Sequence, residues 1–247
     1  MHPAPPGPPT PHAAPPAESP APPPAESPAP PAESPALPAL LVIGANGGIG
    51  LATVQQALAL PYRVIALVRD PAKLPLTHPH LQIVKGDVLQ PETYAHCLPG
   101  VVAVISALGV RHNRPTTLYS RGNAILLEQM QHAGVRRIFC ISASGLDMNP
   151  THPFIVRWFT GNVLQKILRN MYADLRRMET LVRDSALDWT LVRPPRLTDK
   201  AVTGQYRMAI DQPLPNGYSI ARADVAHFML NNIAAEGLFR KTVEIGY

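Results

Sequence analysis

One short stretch limits what this chain can fold into more than any other. Leu40-Leu-Val-Ile-Gly44-Ala-Asn-Gly47-Gly-Ile-Gly50 runs from an apolar segment into a regularly spaced glycine triplet, and Leu51–Leu60 then reads as a helix. Glycine lets the backbone turn tightly and approach another group closely. The start of a helix adds unpaired N–H groups and the positive end of its dipole. Strand, glycine turn and helix in that order are the setting in which a dinucleotide pyrophosphate is held. The chain is therefore expected to begin its folded part with a βα unit that binds a nucleotide.

Residues 1–38 are a different material. They are dense in proline and carry Pro-Pro-Ala-Glu-Ser-Pro-Ala three times, at Pro15–Ala21, Pro23–Ala29 and Pro30–Ala36. Such a segment lacks the apolar side chains that offset ordering entropy, which predicts an extended, polyproline-like disordered tail. Its Pro-x-x-Pro spacings leave open a proline-reading partner beside the plainer reading of a solvated spacer.

No lysine or arginine precedes Arg63, whereas Glu18, Glu26 and Glu33 lie in the tail, so the stretch 39–247 is more basic than the formal net charge of +5. Its cations are scattered over many elements, with no basic run and no interleaved aromatics, so nucleic acid is not an expected partner. No apolar run approaches the ~18 residues of a membrane span, and no membrane partner is expected. The N-terminus lacks the basic start and apolar centre of a secretory signal. Cys97 and Cys140 form no ligand pattern, which excludes a cysteine metal site and predicts two reduced thiols in a cytoplasmic protein. Monomer and dimer both stay open.

Past the first unit, β-rich runs alternate with helical ones. Strands are predicted at Arg63–Val68, Leu81–Val84, Val101–Ser106, Arg137–Ile141, Trp189–Val192 and Thr242–Ile245. Helices are predicted at Glu92–Cys97, Thr117–His132, Val163–Val182 and Ala223–Asn232. Continuous apolar strands alternating with helices indicate a parallel sheet covered on both faces. The fold class is α/β, a doubly wound Rossmann sheet in a single domain over 39–247, with a substrate-side insert at about 146–170.

The end of the second strand, about twenty residues past the glycines, selects the nicotinamide cofactor. NAD binding commonly places a carboxylate there for the ribose 2′-hydroxyl. This chain has Arg69, with Lys73 four residues on. Two cations in that corner suit a 2′-phosphate, so NADP(H) is favoured over NAD(H), while Asp70 keeps the ribose contact open.

Four segments together, Gly44-Ala-Asn-Gly-Gly-Ile-Gly50, Leu67-Val-Arg-Asp-Pro-Ala-Lys-Leu74, Gly86-Asp-Val-Leu89 and Ala226-His-Phe-Met-Leu230, resemble the atypical short-chain dehydrogenase/reductases. Among these the chain is similar to the biliverdin-IXβ reductase/flavin reductase type and to bacterial NAD(P)H-binding proteins of that group. Arg176-Arg-Met-Glu179 and Leu187–Pro195 extend the likeness, which runs from Leu40 to the C-terminus. The resemblance implies that Gly44, Asn46, Gly47, Gly48, Ile49 and Gly50 cradle the pyrophosphate and that Arg69 and Lys73 meet the 2′-phosphate. It further implies that Asp87 and Val88 flank the adenine, that Ala107, Leu108 and Gly109 border the ribose and nicotinamide, and that Ser142, Pro194 and Pro195 line the nicotinamide pocket.

The catalytic part departs from the family. Short-chain dehydrogenases usually carry Tyr-x-x-x-Lys, in which the lysine lowers the tyrosine pKa for proton exchange with a carbonyl. This chain has Tyr172-Ala-Asp-Leu-Arg176, and an arginine cannot share protons as a lysine can. Tyr172 is a candidate acid, set against a surface or packing role in a polar stripe with Arg176, Glu179 and Arg183. In the flavin reductase type a serine lies near the nicotinamide. Here Ala143 takes its place, between Ser142, the other catalytic candidate, and Ser144, and Arg196 replaces a histidine after Pro-Pro. Phe154, Trp158 and Phe159 are expected to cover a flat apolar substrate, with Arg157 and Arg196 on its acidic groups, although simple packing of these aromatics stays open. His152 is a further possible donor.

These residues imply a small-molecule partner and an NAD(P)H-dependent reductase passing hydride to a flavin-like or other conjugated acceptor. The alternative is a noncatalytic NADP(H)-sensing protein similar to NmrA-like regulators, with nucleotide-sugar epimerase chemistry a third reading.

Overall fold

A computed structural model describes residues 1–4, 7, 37–110, 112 and 114–247. The expected polyproline-like conformation of the tail therefore lies outside the described residues, apart from a few positions at its two ends.

Seven strands, all parallel, follow the chain in the order β1 (Ala39–Ile43), β2 (Arg63–Val68), β3 (Leu81–Lys85), β4 (Val101–Ser106), β5 (Arg137–Ile141), β6 (Asp188–Arg193) and, last in sequence, β10 (Lys241–Gly246). Between β6 and β10 come β7 (Arg196–Thr198), β8 (Arg207–Ile210) and β9 (Ser219–Ala221). The main sheet runs β3-β2-β1-β4-β5-β6-β10-β8, with β8 antiparallel at its edge, and β7 and β9 form a separate parallel pair. β1 is central, its Leu41 level with Ile65 of β2 and Val104 of β4. The strand order reverses beside β1, where the chain leaves toward β2 and later returns to β4. Such a switch point opens a crevice at the carboxyl ends of the strands.

The alternation of side chains along each strand divides the core into two layers. Leu41, Ile43, Val104 and Ile138 pack on one face, under α2 (Leu118–His132) and the long α5 (Arg169–Asp184). Leu40, Val42, Ile105 and Phe139 pack on the other, under α1 (Gly48–Leu58) and α6 (Arg222–Asn231). The doubly wound sheet expected from the strand pattern is present.

Three segments differ from expectation. Glu92–Cys97 forms two 3-10 turns, Pro91–Thr93 and Ala95–Cys97, rather than a helix. The single helix expected over 163–182 is broken: α3 (Phe154–Phe159) runs into a π-turn at Thr160–Leu164, the short α4 (Gln165–Ile167) follows, and α5 begins only after Leu168, whose φ of −95° and ψ of 12° leave the helical region. The β7–β9 pair and the edge strand β8 were not expected, because three- and four-residue strands carry too little periodic signal.

Side chains replace missing caps. Thr117 gives α2 no side-chain cap. Asp174 of α5 supplies one, its Oδ2 accepting the Tyr119 N–H (2.9 Å) and its Oδ1 the Ser120 hydroxyl (2.5 Å). A carboxylate at a helix N-terminus is favoured by the dipole, and the bond locks α2 to α5. Both cysteines are free and buried.

Candidate functional site

A cleft of about 1390 Å³ lies along the carboxyl ends of the strands. It exceeds the ~300–1,000 Å³ of ordinary ligand pockets, which leaves room for a dinucleotide and a second molecule.

The glycine turn forms its floor. Gly44 adopts φ +74°, and a Cβ there would lie 2.5 Å from the Ala107 carbonyl oxygen. Only glycine fits that left-handed turn against β4. The Gly47 N–H bonds the Gly44 carbonyl (2.9 Å), and the first helical bond runs from the Leu51 N–H to Gly47 (2.7 Å). The amides of Gly48, Ile49 and Gly50 thus precede the helical ladder, and no side chain caps this end of α1. Gly44, Asn46, Gly47, Gly48 and Ile49 all line the cleft. Gly50 does not: it is buried against the Gly44 carbonyl, and its part is close packing of helix on turn.

Arg69 and Lys73 line one end of the cleft. Asp70, the alternative ribose partner, is otherwise engaged, its carboxylate accepting the Ala72 N–H (3.2 Å) and pairing with Lys73 (3.3 Å). Asp87 folds its own loop, Oδ1 accepting the Leu89 N–H (3.0 Å), and it lines the cleft with Val88. Ala107, Leu108, Gly109, Pro194 and Pro195 line it too.

The far end holds the chemistry-bearing candidates. Ser142 is buried, and its hydroxyl donates to Glu179 Oε1 (2.6 Å). Glu179 is clamped by Arg193 through Nε (2.8 Å) and Nη2 (2.6 Å) and by Arg183 (2.8 Å), while Arg193 also reaches Asp147 (2.8 Å). Burial alone would raise the Glu179 pKa, but the bonds and charge of Arg193, with help from Ser142 and Arg183, hold it below the usual carboxylate range. Ser142 therefore faces an ionised acceptor, and what it offers the cleft is its lone pairs.

Tyr172 also lines the cleft as a buried residue, which agrees with the packing role left open by the sequence and not with the surface one. Its phenol packs against Gly145. Burial raises its pKa, opposed by the charge of Arg176, and that guanidinium is bonded to the Leu146 carbonyl. Glu179 is likewise turned inward, so the supposed polar stripe is two buried groups and two outward arginines.

Ser144 and Arg196 reach the cleft. Phe154 and Trp158 do not: they stand 77% and 50% exposed on the outer side of α3. Their spacing of four residues puts them on one helical face, while Val156, Arg157, Phe159 and Thr160 turn toward the cleft. The apolar cover expected from Phe154 and Trp158 comes instead from Val156, Leu164 and Leu168. The strap they belong to is fastened at its roots, by Asn149 Nδ2 to the Leu214 carbonyl (3.0 Å) and by Gln165 Nε2 to the carbonyls of Gly145 (3.1 Å) and Leu146 (3.3 Å).

Two residues escaped the sequence reading. Arg222 opens α6 and lies across the glycine turn, its Nε 2.6 Å from where a Gly48 Cβ would stand, paired with exposed Asp199 (2.6 Å). A cation on the first turn of a helix opposes the dipole, and that misfit was the available signal. Glu244 reaches the cleft from β10. Burial raises its pKa, against the Leu214 N–H that it accepts (2.9 Å). Nothing in its local sequence marks it. His152 lines the cleft against Tyr218, with ring centroids 5.1 Å apart, and burial lowers its pKa.

A Rossmann sheet with a glycine-floored crevice at its switch point is the architecture of a dinucleotide-binding protein. The sequence matches the NAD(P)H-binding family over residues 44–236, and the chain belongs to that family. An uncharacterised chloroplastic protein of Arabidopsis thaliana is 29% identical over 222 residues, 83% of this chain and 75% of that one. The photosystem II assembly factor Ycf39 of Trieres chinensis is 37% identical over 109 residues, which take in 42% of this chain and 34% of that protein. In fold, the chain is similar to a wide-type short-chain dehydrogenase/reductase from Veillonella parvula solved with NADP, at a TM-score of 0.72 and 16% identity over 85% of this chain and 95% of that one. Among the described residues no helix is long and apolar enough to cross a membrane, and no cluster of ligating side chains suits a metal ion.

Proposed function

We propose that the protein is an NADPH-dependent reductase of a flat, conjugated small molecule such as a flavin, acting in a reducing, cytoplasm-like compartment. The observation that carries this reading is the size of the cleft, about 1390 Å³, whose lining runs from the glycine turn to Val156, Leu164 and Leu168 of the 148–168 strap. The residues fit the cofactor: a cradle that a Cβ would fill at Gly44, the leading amides of α1, Arg222 above them, and Arg69 and Lys73 at the adenosine end. When bound, the nicotinamide supplies a hydride.

The chain's own groups bind, orient and exclude water. With the cofactor bound, Arg222 would face its pyrophosphate in place of Asp199, and Ser142, its own proton held by Glu179, would offer its lone pairs to the nicotinamide end. Val156, Leu164 and Leu168 seat the face of the acceptor, and Arg157 and Arg196 hold its acidic substituents. Positioning carries most of the rate.

The direct test is NADPH oxidation with FMN, biliverdin and quinones. Tight NADPH binding with no turnover on any of them overturns the reading. That result would favour the second reading, a noncatalytic NADP(H) sensor, which draws support from the Arg176 guanidinium being tied to a backbone carbonyl. A sensor would bind a partner with different affinity in the two cofactor states.

Cofactor choice is tested by removing cations. A charge-assisted bond contributes ~1.5–3 kcal/mol, so Arg69→Ala with Lys73→Ala is expected to weaken NADPH roughly tenfold or more while leaving NADH nearly unchanged. Arg222→Gln should instead weaken both cofactors alike, because both carry the pyrophosphate. Titration of nicotinamide fluorescence reads both ratios.

A further inference from the structure

The outer face of the strap has no occupant in the described fold. Phe154, Ile155, Trp158 and Ile167 are each at least half exposed, and none of them lines the cleft. Isolated exposed apolar residues are ordinary, but a contiguous patch marks an interaction surface. Charge says what kind. From Met148 to Ala173 the sequence contains Arg157, Lys166 and Arg169 and no aspartate or glutamate. All three cations are exposed, and among the described residues none forms an ion pair. The carboxylates flanking the segment are already engaged, Asp147 with Arg193 and Asp174 with Arg177 and Ser120.

Aromatic and aliphatic side chains set among unpaired cations, on short helices too brief to span, are the composition of a segment that lies in the headgroup region of an anionic bilayer. A second copy of the chain fits less well, since a two-fold contact through this face would set cations against cations. We propose that residues 148–169 dock the protein onto an anionic membrane surface, with Phe154, Ile155 and Trp158 entering the acyl boundary and Lys166 and Arg169 at the lipid phosphates, while Arg157 stays turned to the cleft. The sequence expectation of no membrane partner rested on the lack of a span, and a surface-lying segment needs none. This proposal is independent of whether the cleft turns over an acceptor.

The test is sedimentation of the full chain with vesicles of phosphatidylcholine alone and of an equal mixture with phosphatidylglycerol. Binding to the anionic vesicles is expected, with roughly tenfold loss of partitioning on neutral ones, or in Lys166→Glu with Arg169→Glu. Phe154→Ser with Trp158→Ser should abolish it. Both variants alter exposed residues, and unchanged thermal melting with NADPH titration verifies their folding. Brominated lipid should quench Trp158 while buried Trp189 keeps its emission. Failure of the folded wild type to bind anionic vesicles overturns the proposal, as does binding that survives both pairs of substitutions. Self-association in solution that Phe154→Ser with Trp158→Ser removes, without vesicle binding, would assign the face to a second copy.

Discussion

Glu179→Ala should cost roughly 3–5 kcal/mol of folding stability, the range for removing one member of a buried ion pair. The loss should fall toward the lower end, because Arg193 keeps Asp147 as a partner. Glu179 is almost wholly buried and accepts bonds from Ser142, Arg183 and Arg193, so its removal leaves the Ser142 hydroxyl without its acceptor and the buried Arg193 with Asp147 alone. Urea denaturation reads the change as a lower midpoint. The pH dependence has a fixed sign. Glu179 is held below the usual carboxylate range in the folded chain, so its stabilisation is fully present above its unfolded pKa and is lost as pH falls through the folded one. Glu179→Gln should flatten that acid limb. Glu244 works the other way: burial raises its folded pKa, so what it contributes is present in acid and lost as pH rises through that value.

Gly44→Ala should nearly abolish cofactor binding. Its φ of +74° costs an alanine about 1–2 kcal/mol, and the added methyl would meet the Ala107 carbonyl at 2.5 Å, so the turn must move off β4. Displacing two amide contacts, at about 1.5 kcal/mol each, lowers NADPH affinity roughly a hundredfold. Gly237→Ala is the control: it lies outside the cleft, its added Cβ would meet nothing within 4 Å, and it should bind nearly as the parent does. Equal losses in the two variants would show that the turn geometry is not what holds the cofactor.

The parts of this molecule legible in its sequence are those set by local rules. β2, β4 and β5 fall where apolar, β-branched runs place them, and the glycine turn carries its own steric signature. The corner beyond β2 was readable because Arg69 and Lys73 lie on one short turn. What escaped depends on distant chain. Ser142 gets its hydrogen-bonding role from Glu179 on α5, and Arg222 comes to Gly48 only through the packing of α6 beside α1. Glu244 gains its raised pKa from burial that the strand's sequence does not announce. The expectation that Phe154 and Trp158 cover a substrate or pack rests on residue type and their place after β5, neither of which registers the helical phase of α3 that turns them outward. The break at Leu168 likewise reflects how α5 must enter against α2, which the apolar repeat across 163–182 cannot register.

The two fastenings of the strap, at Asn149 and at Gln165, have a kinetic meaning. Between them Phe154, Ile155, Trp158 and Phe159 are each at least half exposed, whereas β1 and β4 are bonded on both edges within the sheet. A segment held this way has its own opening equilibrium, lower in free energy than global unfolding. On the proposed reading, an acceptor beneath the strap would leave by local opening, without unfolding of the sheet.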